Sequence, residues 1–334
     1  MKKIVCFLLL FLSFVLFPFL PVNDKTQVVS LREQSPNTVS PHYPVVVDTY
    51  DAKGVPMQTT FQRAPQRIIV DEVNALETLL ILGQGERIVG AALSTAGVSY
   101  ARLQREYPEE FAKVEPVIQN AIGREQAVAL QPDFILAWKA SFTPRWYGNT
   151  AWWQERGVNT YVIATANHVL KDATVEDECK FIDDMGRIFD RKAQTDALLR
   201  DIRAELHVDE ATMRGREQQT VLVVEVGEGD ILNYDEGWVV GDMVRRLGGR
   251  IPLTSKYIGE EELISCDPDV IFVTYNDAYG KTFAENFFRA VRFNSLRAVQ
   301  NDRIHFVPVE YVYTPAFKIL DGIRAIRRGL YPDE

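Results

Sequence analysis

The sequence has few of the side chains that bind metal clusters. Its 334 residues include three cysteines and four histidines. An enzyme built on an iron–sulfur cluster, such as a nitrogenase-like component, needs several cluster-binding cysteines, so this class is disfavoured. The histidines lack the short mutual spacing of a zinc site, since they are His42, His168, His207 and His305. No residue of the chain is therefore predicted to hold a resident metal ion or cofactor.

Catalytic motifs are also missing. The sequence contains no G-x-S-x-G, C-x-x-C or H-E-x-x-H pattern. Gly227-Glu228-Gly229 begins like a dinucleotide-binding loop but lacks the third glycine at the required spacing. These observations predict a protein that is not an enzyme.

Positive charge is in short supply. The chain has 37 Lys and Arg against 46 Asp and Glu, a formal net charge of −9 at pH 7. Without residues 1–20, which contain two lysines, the balance is 35 against 46, or −11. Nucleic-acid binding depends on basic side chains that meet phosphates, so no nucleic-acid partner is expected.

The N-terminus carries the one long apolar run. Lys2 and Lys3 precede residues 4–20, which hold no charged side chain. Basic residues before such a run are typical of an export signal, so residues 1–22 are predicted to be a signal peptide or an uncleaved membrane anchor. No A-x-A site follows the run, so both alternatives stay open, and Cys6 lies inside it rather than at a lipoprotein cleavage site. We expect an exported protein, in the periplasm or on the outer face of the cytoplasmic membrane.

Residues 23–64 are interpreted as a tether with a possible hairpin around Lys53-Gly54. Beyond the leader only Cys179 and Cys266 remain, in predicted helices of different regions. An exported protein permits a disulfide, but two such cysteines are expected to be independent core residues.

One layout occurs twice in the chain. Residues 123–138 and 259–273 each combine an acidic-headed helix, a Pro-Asp turn and an apolar run of strand length. The turns are Pro132-Asp133 and Pro268-Asp269. The repeat predicts two similar lobes, over residues 65–172 and 214–334.

The predicted fold class is α/β, with two Rossmann-like lobes joined by one long connecting α-helix. Strands that alternate with helices imply parallel sheets in both lobes. Residues 173–213 form the connector, since Thr174 and Asp177 resemble a capping box and a helical apolar stripe follows. Two helices broken near Asp190-Arg191-Lys192 are the alternative. A continuous or kinked connector is preferred because the repeated lobes need a link.

On these motifs, residues 65–332 resemble the solute-binding proteins of ABC importers for iron-siderophore, haem and cobalamin. The resemblance implies a metal chelate as cargo and a membrane permease with its ATPase as partner. In that family a glutamate on the short helix of each lobe meets arginines of the permease. The matching positions, counted from the Pro-Asp turns, are Glu125 and Glu261. Either glutamate could instead be a solvated side chain favoured by the helix dipole alone.

Candidate cargo contacts come from the carboxyl ends of the predicted strands, where open parallel sheets bind their ligands. Aromatic faces suit large ring systems and catecholates, and basic side chains suit an anionic chelate. Each side chain could equally be a packing or rim contact. The candidates are Glu72, Asn74, Trp138, Lys139, Arg145, Tyr234, Trp238, Tyr275, Tyr311 and Tyr313.

The predicted function is delivery of a metal chelate, foremost a ferric siderophore, to an ABC importer. Cobalamin and haem are the alternatives within the same family, and tyrosine ligation of haem stays open. A surface sensor module on the same fold is an alternative outside transport, which an uncleaved anchor would favour.

Overall fold

A computed structural model of the chain describes residues 42–166, 169–208 and 217–333. These residues belong to one compact unit that extends from Ser40 to Glu334. The predicted leader, the first part of the predicted tether and His168 lie outside the described residues. Among the described helices, none is both long enough and apolar enough to cross a bilayer.

The described strands form two five-stranded sheets and a separate hairpin. The first sheet has the order β5-β4-β3-β6-β7 and the second the order β10-β9-β8-β11-β12. We call each sheet with its helices a lobe. The strands are β1 (Val45–Tyr50), β2 (Pro56–Phe61), β3 (Ile68–Asp71), β4 (Ile88–Ala92), β5 (Ile118–Gln119), β6 (Phe134–Trp138), β7 (Asn159–Ile163), β8 (Val221–Val226), β9 (Ile231–Asn233), β10 (Tyr257–Ile258), β11 (Val270–Tyr275) and β12 (Ile304–Pro308).

Helices connect these strands along the chain. The described α-helices are α1 (Val73–Ile81), α2 (Val98–Glu106), α3 (Pro108–Val114), α4 (Arg124–Ala129), α5 (Thr150–Gln154), α6 (Val175–Ile188), α7 (Lys192–Glu205), α8 (Val239–Arg246), α9 (Glu260–Cys266), α10 (Ala278–Phe288), α11 (Arg297–Gln300) and α12 (Ile319–Leu330). The alternation of strands and helices confirms the predicted α/β class.

The two lobes repeat one topology. In each, the first strand of the lobe lies at the centre of the sheet and pairs in parallel with the strand of the Pro-Asp repeat. Ile68 of β3 is paired with Phe134 of β6, and Val221 of β8 with Val270 of β11. The matching registers confirm the internal repeat that the sequence predicts.

The Pro-Asp turns have the same structural role in both lobes. The residue before each proline has a left-handed backbone, with φ of 48° at Gln131 and 43° at Asp267, which ends the preceding helix. The Asp133 carboxylate accepts hydrogen bonds from the backbone N–H of Arg67 at 2.8 Å and from that of Gln66. Asp269 accepts likewise from the backbone N–H of Thr220 at 2.8 Å. Each aspartate thus anchors the start of the central strand of its sheet.

The second sheet corrects the expectation of two parallel sheets. Strand β9 runs antiparallel to β8 and to β10, so this sheet is mixed, whereas the described pairs of the first sheet are all parallel. An antiparallel neighbour needs only a tight turn, while a parallel one needs a crossover. That turn is closed by the Gly227 N–H, which donates to the Asp230 carbonyl at 2.9 Å. The segment between β8 and α8 therefore contains a strand, β9.

The connector also differs from the expected single helix. Thr174 and Asp177 form a capping box at the start of α6, as predicted. The helix nevertheless ends at Ile188 because Asp190 has a left-handed backbone, with φ of 54°, and α7 starts at Lys192. Gly186 makes the turn possible, since a Cβ there would lie 2.1 Å from Thr195 Oγ1 of the next helix. Two helices meeting at Asp190, rather than one continuous helix, join the lobes.

The hairpin predicted around Lys53-Gly54 is confirmed. Strands β1 and β2 pair antiparallel, and Asp51 closes the turn by accepting from the backbone N–H of Val55 at 2.8 Å. The hairpin packs on the first lobe, because Thr49 accepts a hydrogen bond from the backbone N–H of Val162 in β7 at 3.1 Å. This part of the predicted tether therefore belongs to the folded unit.

Alternation along the central strands sorts side chains into distinct cores. Ile68 and Val221 contribute to one core that both lobes share with α6 and α7. Ile69 and Leu222 instead face separate cores, one on the outer side of each sheet. Cys179 is buried in the shared core, Cys266 is half-buried at the end of α9, and both are free thiols.

Candidate functional site

A cavity of about 400 Å³ lies where the carboxyl ends of strands from both sheets meet. Six of the ten candidate cargo residues line it: Glu72, Asn74, Trp138, Tyr234, Trp238 and Tyr313. Carboxyl ends of parallel strands converge at one edge of a sheet, which is why strand-end residues from distant segments meet here. The volume suits a small-molecule ligand.

Four aromatic rings cross the cavity from one lobe to the other. Trp138, at the end of β6 in the first lobe, stands edge-on to Tyr313 with 6.2 Å between ring centroids. The Tyr313 ring lies 5.7 Å from that of Trp238, which in turn lies 5.1 Å from that of Tyr234. The rings form a continuous apolar surface across the lobes, suited to a flat or bulky guest.

The other four candidates lie outside the cavity lining. Lys139 is beside the hairpin turn at Gly54, and the Arg145 guanidinium lies 5.0 Å from the centroid of the Trp146 ring. Lys281 lies over the ring of Tyr275 and Lys318 over that of Tyr311, at 5.7 and 5.9 Å. The two basic side chains expected to meet an anionic chelate are thus not at the cavity.

Glu72 has a structural task in the cavity wall. Its carboxyl caps α1 by accepting from the backbone N–H of Asn74 at 2.9 Å and of Ala75 at 2.5 Å. Burial is the main cause that raises the pKa of Glu72 to about 8, and the nearby Glu178 and Glu77 act in the same direction. At neutral pH this carboxyl therefore holds a proton.

Asn74 ties the lobes together beside the cavity. Its side-chain amide donates to the backbone carbonyls of Glu310 and Thr314 in the second lobe, each at 3.0 Å. Three buried polar atoms of the lining have no hydrogen-bond partner among the described residues: Asn74 Oδ1, Thr314 Oγ1 and Trp138 Nε1. Buried polar atoms rarely stay unpaired, so these atoms are available to a guest with both donors and acceptors.

Glu225 is one of the ten lining residues that the sequence prediction did not include. It accepts a hydrogen bond from the Tyr234 hydroxyl at 2.8 Å and one from the Asn276 amide at 2.9 Å. Burial and the Glu225 carboxylate raise the pKa of Tyr234, so the phenol stays a donor. A signal was present in the sequence, because Glu225 is the single charged residue within the strand Val221–Val226.

A charged network lies behind the cavity, between the lobes. The Arg102 guanidinium of the first lobe contacts Glu77 at 2.8 Å and Glu310 of the second lobe at 2.7 Å. Lys318 of the second lobe contacts Glu77 at 3.2 Å. Glu178 on α6 accepts from the backbone N–H of Ala316 at 2.8 Å, and burial raises its pKa to about 7. The ion pairs of Arg102 and Lys318 join the two lobes, and Glu178 joins α6 to the second lobe.

The two repeat glutamates lie at the starts of matching helices. Gly123 and Gly259 are the N-caps of α4 and α9, with nearly the same backbone angles, φ of −81° and −87° and ψ of 167° and 165°. Glu125 and Glu261 are exposed, and neither has an ion-pair partner among the described residues. The neighbouring Glu260, by contrast, is paired with Arg292 at 2.5 Å.

Comparisons with known proteins agree with this architecture. The family described as periplasmic binding protein matches residues 68–311. An uncharacterized ABC transporter substrate-binding lipoprotein of Bacillus subtilis is 21% identical over 309 residues, which cover 87% of each chain.

Among solved structures, a periplasmic binding protein from Veillonella parvula is similar with a TM-score of 0.79 and 25% identity, covering 87% of this chain and 92% of that one. A protein of an ABC-type Fe3+-hydroxamate transport system from Saccharomonospora viridis is similar with a TM-score of 0.65 and 20% identity, covering 86% and 99%. The latter likeness concerns the fold alone.

Proposed function

This chain belongs to the periplasmic binding protein family, as a substrate-binding protein of an ABC transporter and not an enzyme, and on that premise we propose that it captures a ferric siderophore and delivers it to the importer's permease. Capture takes place in the cavity between the lobes. The sequence features of residues 1–22 support export, with cleavage or anchoring as the two alternatives.

The observation that carries the proposal is the aromatic path from Trp138 through Tyr313 and Trp238 to Tyr234. It joins both lobes across a cavity of about 400 Å³. Siderophore complexes present apolar faces as well as amide and oxygen groups around the iron. The rings suit the former, and the unpaired Asn74, Thr314 and Trp138 atoms suit the latter.

A ferric siderophore is preferred to haem because the hydroxyl of the lining residue Tyr234 donates a hydrogen bond to Glu225, and burial raises the pKa of this phenol so that it keeps its proton. Haem ligation by tyrosine requires the phenol to lose that proton. The structure from Saccharomonospora viridis is named for an Fe3+-hydroxamate transport system, so a ferric hydroxamate is included among the cargoes to be tested. Cobalamin is retained as an arm of the test.

We further propose that Glu125 and Glu261 dock the loaded protein on the permease. Both are exposed at the start of matching helices, one in each lobe. Two separated charge contacts would set the orientation of docking more than its strength. The pairing of Glu260 with Arg292 leaves Glu261 as the unpaired counterpart of Glu125.

A thermal-shift panel tests the cargo. The purified protein is heated with a ferric hydroxamate siderophore, a ferric catecholate siderophore, haem or cobalamin. A ligand at about 100 times its Kd should stabilise the fold by about 2.7 kcal/mol, which raises Tm by a few degrees. Stabilisation by a siderophore complex supports the proposal, and stabilisation by cobalamin or haem alone would replace it.

A pair of tryptophan variants locates the site. Trp138→Ala should lose the ligand-induced shift, because it removes one end of the aromatic path. Trp152→Ala is the matched control, since Trp152 stacks under Arg156 at 3.8 Å away from the cavity. Equal loss of the shift in both variants would contradict binding in this cavity.

A further inference from the structure

The ionisable side chains around the cavity are mostly acidic. Among the described residues the lining holds three carboxyl side chains, Glu72, Glu225 and Glu310, and one basic side chain, Lys256. A site for a highly charged anion is expected to present several Arg or Lys groups as charge-assisted donors. The lining of this cavity instead has more carboxyl side chains than basic ones.

The three carboxyl groups differ in their protonation and in their ion-pair partners. Glu72 is buried and its raised pKa, about 8, keeps it neutral at pH 7. Glu310 is paired with Arg102 at 2.7 Å. Glu225 receives hydrogen bonds from two neutral donors, and no described basic side chain lies within ion-pair distance of it. Glu225 therefore brings to the cavity a carboxylate without an ion-pair partner among the described residues, whereas Lys256, the basic side chain of the lining, is exposed and lies over the Tyr257 ring at 5.5 Å.

That charge lies next to the aromatic path. Tyr234, which donates to Glu225, has its ring 5.1 Å from Trp238, and Trp238 lies 5.7 Å from Tyr313. Aromatic faces attract cations through the ring quadrupole, so rings and carboxylate favour the same sign of charge in a guest. The same carboxylate repels an anion, and rejection of the wrong guest is a common source of specificity.

We propose that the cavity selects its cargo by charge, with Glu225 as the discriminating residue: it accepts neutral or cationic ferric chelates and rejects anionic ones. The inference rests on the proposed function and narrows its substrate class. A ferric trihydroxamate carries no net charge of its own and becomes a cation when it bears an amine arm. A ferric tris-catecholate is a multiply charged anion. The cargo is therefore of the hydroxamate kind.

The test compares three probes on the full chain by tryptophan fluorescence quenching: ferrioxamine B, its N-acetyl derivative and ferric enterobactin. The first two share the ferric trihydroxamate core, and acetylation replaces the positively charged amine of the first with a neutral amide. We expect ferrioxamine B to bind about tenfold more tightly than the acetylated probe, as one additional charge contact at partial exposure allows. Ferric enterobactin should bind at least about 100-fold more weakly than either.

Glu225→Gln keeps the size of the side chain and removes its charge. In this variant the two hydroxamate probes should bind with equal affinity. Salt gives a readout that needs no variant, since the preference of the wild-type protein for ferrioxamine B should shrink as ionic strength rises.

Two failures are distinguishable. If the hydroxamates bind but ferric enterobactin binds as tightly, or if Glu225→Gln retains the preference for the amine, the charge inference is wrong and the proposed function stands. If none of the three chelates binds, the siderophore function is wrong and the inference that rests on it falls too.

Discussion

The two lobes share a scaffold and differ in what they give to the cavity. Their sheets have the same strand order, and the same Pro-Asp anchor fixes the central strand of each. The first lobe nevertheless supplies five of the lining residues and the second lobe supplies the other eleven. The antiparallel strand β9 explains much of this difference, because its hairpin brings Leu232 and Tyr234 to the cavity edge.

The register of the sheets makes one pair of residues directly comparable. Ile68 and Val221 occupy equivalent places, each opposite the second residue after the repeat proline. Glu72 and Glu225 follow at the same spacing and are therefore counterparts. Both are glutamates at the carboxyl end of the central strand, and both line the cavity.

Glu72 and Glu225 nevertheless lie in different environments. After β3 the chain turns at once into α1, so Glu72 becomes the buried N-cap of that helix. Strand β8 continues through Val226 into the hairpin, so Glu225 stays at the cavity among neutral donors. The same residue type at the same place therefore serves folding in one lobe and, in our proposal, cargo selection in the other.

The largest expected effect concerns Glu125 and Glu261, which occupy the same position in the first turns of α4 and α9. Glu125→Lys with Glu261→Lys should abolish cargo uptake by cells, with at least a tenfold loss, while cargo binding by the purified protein stays unchanged. Each single variant should lose uptake to a similar degree if the lobes dock equivalently. Glu262→Lys makes the same charge change at an exposed position of α9 and should retain uptake. Full uptake by the double variant would refute the docking proposal.

The next effect is the pH dependence of stability, which should distinguish the buried Glu72 from an exposed glutamate. The folded carboxyl keeps its proton up to a pKa of about 8, whereas the unfolded chain releases it near pH 4.3. The native state then binds more protons, so its stability is greatest at low pH and is lost as pH rises toward 8. Between pH 5 and 8 the free energy of unfolding should fall by on the order of 4 kcal/mol through this group alone.

Urea unfolding across this pH range measures the effect. Glu178, whose pKa is raised to about 7, adds a fall of the same sign at the lower end of the range. Glu72→Gln should reduce the slope of stability against pH by about 1.4 kcal/mol per pH unit. Glu262→Gln, the same substitution at an exposed site, should keep the wild-type slope. An unchanged slope in Glu72→Gln would show that this carboxyl is ionised in the native state.

A smaller effect tests whether the Pro-Asp anchors are energetically equivalent. Asp133→Ala and Asp269→Ala each leave backbone N–H groups at a strand start without their acceptor, and each should destabilise the fold by about 1–3 kcal/mol. Asp269→Ala should cost more, because its carboxylate also pairs with Arg297 at 2.5 Å. Urea unfolding measures the loss of stability in both variants. If Asp133→Ala left the free energy of unfolding unchanged, the two Pro-Asp turns would share a geometry but not an energetic role.

The sequence predicted what periodic patterns and repeated motifs encode. Two α/β lobes, the hairpin near Gly54 and the matching helices of Glu125 and Glu261 all follow from apolar runs, turn residues and a fixed offset from a proline. Strand ends also gathered six of the ten candidate residues in one cavity, because parallel strands share an edge.

Other features have no local pattern. The apolar stripe continues on both sides of Asp190, so the left-handed turn that separates α6 from α7 depends on packing rather than composition. Strand β9 is three residues long, too short for alternation to identify it. Position after a strand does not fix side-chain direction, which is why Lys139 follows Trp138 yet lies outside the cavity lining.

The smallest effect compares the first turns of the two repeat helices. Glu260 opens α9, while Arg124 holds the equivalent place in α4 directly after the glycine N-cap. A helix N-terminus favours negative charge, so Arg124→Glu should stabilise the protein by about 0.3–1 kcal/mol at low salt. The reverse change, Glu260→Arg, should destabilise by more than that, because it also removes the partner of Arg292.

Thermal unfolding at low and high salt measures both changes, and the stabilisation by Arg124→Glu should fade at high salt because the charges are exposed. A salt-independent gain would mean that Arg124 acts through packing against Gly148, whose added Cβ would lie 3.4 Å from Arg124 Cδ, and not through the helix dipole. Helices α4 and α9 would then differ in side-chain packing rather than in charge. That result would weaken the structural equivalence of the two helices that carry Glu125 and Glu261.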